Sequence, residues 1–198
     1  MLVFWKEKLV ILSVPKTGTT AIESALAPHA DMVVSNPPQL KHAPVYRYNR
    51  FFRPMFEKAC GEENMQTVAV IREPISWLGS WYRYRQRDAM KGHPNATHDK
   101  TFDEFVDAYC KGDRPAFANV GSQAKFIEPR PNGTKVDFLF RYEDQDKLLG
   151  FLEERLSRKI TLGRENVSPS MELTLSKKVE DKLRRKCAEE FDLYAGIS

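Results

Sequence analysis

The sequence LVILSVPKTGTT, residues 9–20, decides the fold class of this protein. Its first six residues are almost all apolar, which is typical of a parallel strand buried on both faces. Pro15 ends the apolar run. The segment TTAIESALA, residues 19–27, then favours a helix with Ile22, Ala25 and Leu26 on one face. A strand followed by a tight turn and a helix is the opening of an α/β unit.

The same alternation of apolar strand and amphipathic helix continues along the chain. Further strands are predicted at residues 32–35, 68–71 and 136–141, and further helices at residues 75–90, 102–110, 144–156 and 175–191. Thr101 and Glu104 form the capping-box pattern at the start of one of these helices. The alternation predicts a three-layer α/β fold, a mostly parallel sheet with helices on both faces, in a single domain over residues 1–198.

Composition excludes several classes of protein. The 198 residues are 41% hydrophobic and 29% charged, which is a globular composition. The net charge of +4 is too small to predict a nucleic-acid partner. The N-terminal apolar run is broken by charges at residues 6–8 and is too short for a membrane span. Three dispersed cysteines argue against a disulfide framework and against a zinc site, so we expect a reduced, cytoplasmic protein.

Positive charge is concentrated in one part of the chain. Residues 41–91 hold ten lysines and arginines against five acidic residues. This local excess would attract an anionic ligand, although a solvated basic surface has the same composition.

The turn between the first strand and the first helix has the residues of an anion-binding site. Amide groups at a helix N-terminus are unpaired and can bind a phosphate or a sulfate. Gly18 allows close approach of the backbone, Thr17, Thr19 and Thr20 bring hydroxyl groups, and Lys16 brings a full charge. The turn differs from G-x-x-x-x-G-K-[ST], because its lysine precedes its only glycine. An ordinary capped turn would also fit this segment.

A second candidate site follows the apolar run at residues 68–71. Arg72 comes directly after that predicted strand, at the edge of the sheet where α/β proteins bind ligands. Ser80 follows about two helical turns later. An arginine fork and a serine hydroxyl suit a phosphate group, although Arg72 could instead pair with Glu73.

Together these two segments resemble the sulfotransferase family. The turn PKTGTT, residues 15–20, is similar to the family's loop for the 5′-phosphosulfate of 3′-phosphoadenosine 5′-phosphosulfate (PAPS), and Arg72 with Ser80 is similar to its 3′-phosphate motif. Residues 136–144 (VDFLFRYED), 166–168 and 190–194 resemble the carbohydrate-type and bacterial branch more weakly. The resemblance implies a P-loop-NTPase-like sulfotransferase fold and PAPS as the sulfuryl donor, with no metal.

The chemistry of sulfuryl transfer assigns roles to two further side chains. Charge develops on the leaving phosphate oxygen, and Lys16 is the cation best placed to stabilise it. The attacking hydroxyl needs a proton acceptor. The resemblance implies His42 in the sequence Lys-His as this catalytic base, because related enzymes carry such a histidine after the second strand. Glu143, His93 and His98 are the alternatives.

The acceptor is less defined by the sequence than the donor. We expect an acceptor hydroxyl on a small molecule or a carbohydrate. Residues 46–53 interleave aromatic residues with arginines and could contact an acceptor or form an amphipathic surface helix. A nucleotide phosphotransferase (a kinase) and a non-catalytic protein that binds anionic nucleotides or polyanions are the alternative functions. The sequence leaves the oligomeric state open.

Overall fold

A computed structural model describes residues 1–61, 64–163 and 171–197 of the chain. In these residues a five-stranded sheet is formed by β1 (Leu2–Phe4), β2 (Leu9–Ile11), β3 (Met32–Val33), β4 (Gln66–Ile71) and β5 (Phe138–Arg141). The α-helices, in chain order, are α1 (Thr19–Leu26), α2 (Pro38–Lys41), α3 (Val45–Arg47), α4 (Arg53–Cys60), α5 (Pro74–Arg85), α6 (Phe102–Tyr109), α7 (Gln123–Ile127), α8 (Gln145–Leu156), α9 (Lys177–Lys186) and α10 (Ala188–Ala195). Residues 166–168, part of the predicted family resemblance, lie outside the described residues.

The chain divides into two compact units. The first contains the described residues within 1–72, 123–166 and 197–198, and the second those within 73–122 and 167–196. The prediction of one domain over residues 1–198 stays a prediction.

The sheet lies in the first unit and has the strand order β3-β1-β2-β4-β5. Strands β2, β4 and β5 are parallel neighbours, as predicted, while β1 pairs antiparallel with both β2 and β3. The sequence analysis did not predict β1. The charged residues at 6–8, which interrupt the N-terminal apolar run, form the turn of a β1–β2 hairpin in which the Lys8 amide donates to the Trp5 carbonyl at 3.2 Å. An apolar, charged, apolar pattern is a hairpin signal that the analysis used only to exclude a membrane span.

Helices cover both faces of this sheet, which confirms the predicted α/β fold. On one face, alternate strand residues pack against α1 and α8; the buried cluster includes Leu9, Ile11, Val68, Val70, Ile22, Leu26, Leu148 and Leu152. The other face is also buried, at Val10, Ala69 and Ile71. Tyr48 and Phe56, in the helical segment that contains α3 and α4, line a small cavity with Thr67 of that same face.

The second unit is a helical cluster formed by α5, α6, α9 and α10. Trp77, Tyr82, Phe105 and Leu183 are buried in its core. The predicted capping box opens α6, because the Glu104 amide donates to the Thr101 hydroxyl oxygen and the Thr101 amide donates to the Glu104 carboxylate.

Two predicted helices in this unit are too long. The helix at residues 75–90 ends at Arg85, whose carbonyl accepts a hydrogen bond from the Thr97 amide instead of continuing the helix. The helix at residues 175–191 is two helices, because Cys187 leaves helical geometry at φ −127° and ψ 39° and separates α9 from α10. Within the described residues, none of the helices has the length and hydropathy that crossing a membrane requires.

Candidate active site

The carboxyl ends of the three parallel strands form one edge of the sheet in the first unit. The chain leaves β2 into the segment 12–18, leaves β4 at Arg72, and leaves β5 at Tyr142. Backbone hydrogen bonds hold these ends in register, from Leu12 N–H to Val68 O and from Tyr142 N–H to Ile71 O, each 2.8 Å. This edge is where open α/β sheets bind ligands.

The predicted anion-binding turn occupies this edge. The buried hydroxyl of Thr17 donates to the Val14 carbonyl at 2.9 Å, so it fixes the turn. Helix α1 then begins at Thr19, with Gly18 as its N-cap. In the described parts of the chain the amides of Thr19 and Thr20 donate to no protein acceptor. These two amides are therefore available to an anion at the positive end of the helix.

Gly18 meets two requirements that a larger residue would not. Its φ of +75° lies in the left-handed region. A Cβ at this position would lie 3.0 Å from the ring of Tyr142. The sequence analysis predicted that Gly18 permits close approach of the backbone, and the structure adds Tyr142 as the neighbour that it approaches.

Arg72 extends from the end of β4 toward the turn. Its guanidinium carbon lies 4.4 Å from the ring centroid of Tyr142, and its Nη1 donates to the Lys16 carbonyl at 3.4 Å. The structure therefore brings Arg72 beside the turn at residues 14–20.

Gln123 fixes the backbone of Arg72. The Arg72 amide donates to Gln123 Oε1 at 2.9 Å, and Gln123 Nε2 donates to the Arg72 carbonyl at 2.8 Å. Gln123 is 0% exposed. A buried side chain thus satisfies both backbone groups of the residue at which β4 ends.

His42 is hydrogen-bonded to the loop that contains Lys16. Its Nδ1 lies 2.7 Å from the carbonyl oxygen of Ser13, three residues before Lys16. Because a carbonyl can only accept, Nδ1 carries the hydrogen and Nε2 of the neutral ring keeps its lone pair. Helix α2 ends at Lys41, with His42 as its C-cap, and Lys41 pairs with Glu23 of α1 at 2.6 Å.

The surroundings of His42 favour its neutral form. Burial lowers the pKa of His42 from its usual 6.5, and the charge of Lys41 acts in the same direction. The hydrogen bond to Ser13 partly opposes this shift. At neutral pH the ring is therefore available as a proton acceptor.

Most of the predicted site residues come together at this one edge. The first unit brings Lys16, Thr17, Gly18, Thr19, Thr20, His42 and Arg72 to the same end of its parallel strands. Ser80 lies in the second turn of α5 in the second unit and is 6% exposed. Among the alternative bases, Glu143 follows Tyr142, and His93 and His98 line a cleft in the second unit.

Two residues of this edge were not assigned by the sequence analysis. Tyr142 immediately follows the predicted strand 136–141, and the carboxyl end of a parallel strand is itself a signal for a site residue. Gln123 lies 51 residues from Arg72 in the chain and reaches it only in the folded protein, so no local sequence pattern points to it. Among the described residues, no three His, Cys, Asp or Glu side chains are grouped so that they could hold a metal ion.

Comparisons with known proteins bear on the identity of the chain. No curated protein sequence matches it. A solved structure described as the crystal structure of mouse sulfotransferase SULT7A1 complexed with PAP aligns with 100% of this chain and 69% of its own, at 16% identity and a TM-score of 0.45. A likeness this weak carries no argument about the site. The family model described as the sulfotransferase family matches residues 1–194. Because that match spans nearly the whole sequence, the protein belongs to the sulfotransferase family and is an enzyme of sulfuryl transfer.

Proposed function

We propose that this enzyme transfers the sulfuryl group of PAPS to an acceptor hydroxyl by in-line displacement. The observation that carries the proposal is the meeting of Lys16, Arg72 and His42 at the carboxyl edge of β2 and β4. This reaction needs a cation for the leaving group, an arginine for a phosphate and a neutral base.

The turn at residues 14–20 holds the 5′-phosphosulfate. The amides of Thr19 and Thr20 and the positive end of α1 face the anion. Lys16 stabilises the charge that develops on the bridging oxygen as the sulfur–oxygen bond breaks. Such a preorganised cation stabilises the transition state more than the ground state, and so it accelerates the reaction.

Arg72 binds the 3′-phosphate. Its backbone is fixed by Gln123, and its guanidinium is packed on Tyr142, so little conformational freedom is lost on binding. The predicted contribution of Ser80 to the same phosphate rests on the sequence motif alone.

His42 accepts the proton of the attacking hydroxyl at Nε2. The hydrogen bond from Nδ1 to Ser13 orients the ring and fixes its tautomer. The acceptor oxygen attacks sulfur, its proton passes to His42, and adenosine 3′,5′-bisphosphate leaves. No step of this scheme uses a metal ion.

The acceptor contacts the exposed aromatic residues that follow His42. Tyr46 is 43% exposed and Phe51 is 54% exposed. The guanidinium carbons of Arg47 and Arg50 lie 5.5 and 5.4 Å from the centroids of these two rings. Exposed rings beside arginines suit a sugar or a flat small molecule that carries an acidic group. The acceptors that we propose therefore include carbohydrates.

Ligand-induced stabilisation tests the donor without knowledge of the acceptor. Adenosine 3′,5′-bisphosphate without magnesium, at a hundredfold excess over its Kd, should add about 2.7 kcal/mol to the free energy of unfolding. ADP at the same concentration should stabilise much less, because it lacks the 3′-phosphate, and Arg72→Ala should remove most of the difference. Equal stabilisation by ADP, or a larger one by ATP with magnesium, would contradict the proposal.

Turnover tests the reaction itself. PAPS is supplied with a panel of phenols, sugars and amines, and release of the bisphosphate is measured for each. We expect release that depends on a hydroxyl acceptor. Release with amines alone would show that the acceptor class is wrong.

A further inference from the structure

Two of the three cysteines meet in the second unit, although they are far apart in the sequence. Cys110 is the C-cap of α6, and Cys187 is the C-cap of α9. Lys182 of α9 pairs with Asp107 of α6 at 2.6 Å. Cys110 follows Asp107 in the chain, and Cys187 follows Lys182. Helices α6 and α9 therefore run in the same direction, with their C-terminal ends on the same side.

Both cysteines lie at the C-terminal ends of these packed helices, and their side chains lie in the same region of the second unit. Both side chains belong to the apolar cluster of the second unit, in which Cys187 is 3% exposed and Cys110 is half-buried. A reagent can therefore reach Cys110, while Cys187 is held against it from the protein side. Cys60, the third cysteine, is exposed in the first unit.

We propose that Cys110 and Cys187 form an oxidation site that a hydroperoxide converts into a disulfide clamping the C-terminal ends of α6 and α9. Both cysteines lie in the second unit, whereas Lys16, His42 and Arg72 lie in the first. Formation of the disulfide requires the two sulfurs to approach to a bond length of about 2.05 Å.

The charges around the pair assign a role to each cysteine. The hydrogen bond from Cys187 lowers the pKa of the Cys110 thiol, and the positive charges of Lys182 and Arg114 add to that effect. The same hydrogen bond, together with burial, raises the pKa of Cys187. Cys110 is thus the thiolate that reacts first, and Cys187 retains its proton.

The reaction balances in two steps. The Cys110 thiolate attacks the terminal oxygen of the hydroperoxide and the oxygen–oxygen bond breaks. Cys110 becomes a sulfenic acid, and the rest of the hydroperoxide leaves as hydroxide or an alkoxide. The sulfur of Cys187 then attacks the sulfur of Cys110, the sulfur–oxygen bond breaks, and the oxygen leaves as water with the thiol proton. The two thiols lose two electrons, which the hydroperoxide accepts.

The disulfide should be visible by mass and by stability. The full chain is treated with hydrogen peroxide, its remaining thiols are alkylated, and it is digested without reductant. We expect one linked peptide pair, joining Cys110 to Cys187 and lighter by two hydrogens than the two thiol peptides. The bond closes a loop of about 77 residues, so Tm should rise by roughly 5–15 °C and return to the original value with dithiothreitol.

Matched variants separate this bond from other oxidation. Cys60→Ser should form the linked pair as the parent does, and Cys110→Ser should not. In Cys187→Ala, Cys110 should stop at the sulfenic acid and react with dimedone, a readout that needs no disulfide. A linkage through Cys60, or oxidation of Cys110 to sulfinic acid in the parent without linkage, would overturn the proposal. The digest of the parent decides the question even if the Cys187 variant fails to fold.

Discussion

Replacement of Gln123 by alanine should destabilise the fold and weaken nucleotide binding at the same time. Gln123 is fully buried, and its amide group satisfies both backbone groups of Arg72, at 2.9 and 2.8 Å. Alanine removes both of these partners from a partly buried N–H and a partly buried C=O. The residue affected is the one that we assign to the 3′-phosphate.

The size of the effect follows from these two bonds. A buried polar group that loses its partner costs about 1–3 kcal/mol, so two such groups, partly rescued by water in the vacated space, should cost about 2–4 kcal/mol. For a chain of this size the corresponding fall in Tm is roughly 5–15 °C. A misplaced Arg72 loses part of a charge-assisted hydrogen bond, so the Kd for adenosine 3′,5′-bisphosphate should rise about tenfold.

Two control variants identify the cause. Gln123→Met fills the same space without either polar atom, and so it isolates the hydrogen-bond contribution from that of a cavity. Gln86→Ala removes the hydrogen bond from Gln86 Nε2 to the Thr97 carbonyl at 3.2 Å and should cost about 1 kcal/mol without changing nucleotide affinity.

Urea denaturation and isothermal titration calorimetry measure the two effects. A free energy of unfolding for Gln123→Ala within about 1 kcal/mol of the parent would refute the reasoning about stability, since it would mean that the Arg72 backbone is satisfied without Gln123. An unchanged Kd with a lowered stability would remove Arg72 from nucleotide binding or show that its position does not depend on this clamp.

Three further predictions concern the turn and the base. Lys16→Ala should lower kcat by about 10²–10³, with a much smaller change in nucleotide Kd, and steady-state kinetics within tenfold of the parent would exclude its assigned role. His42→Ala should lower kcat by about 10²–10⁴. In the parent the rate should fall with acidity only below pH 6.5, because a lowered pKa keeps the base unprotonated down to that range; an acid limb that persists unchanged in the variant would point to another base. Gly18→Ala should lower the free energy of unfolding, measured with urea, more than Gly61→Ala does. Both glycines have positive φ, but a Cβ at Gly18 would lie 3.0 Å from the Tyr142 ring, whereas no described atom lies within 4 Å of a Cβ at Gly61. Equal losses would refute the contact with Tyr142.

The aromatic and arginine-rich segment 46–53 illustrates why its sequence allowed two interpretations. The buried and exposed aromatic residues of this segment do not follow one regular pattern. Tyr48 is buried, as an amphipathic helix requires, whereas Tyr46 and Phe51 are exposed beside arginines. A π-helical turn at Tyr48–Phe52 changes the angular spacing of the side chains, so a regular helical period does not assign the buried positions.

The sequence by itself determined the fold class, the family and the position of the turn to which we assign anion binding. These are encoded locally, because apolar runs, caps and turn residues act over a few positions in the chain. The predicted strands 9–14, 68–71 and 136–141 correspond to the parallel strands β2, β4 and β5, and the capping box at Thr101 was confirmed. Arg72 could be predicted as a site residue because a strand end is readable from the sequence.

The tertiary structure alone decided which residues surround that turn. Gln123 reaches Arg72 from 51 residues away, and His42 reaches Ser13 from 29 residues away. The break at Cys187, and the place of Cys187 and Cys110 in one buried cluster, likewise depend on the packing of α9 against α6. Contacts between distant segments form only when the sheet and the helical cluster bury their apolar faces. A local sequence pattern does not predict which polar side chains this burial brings together.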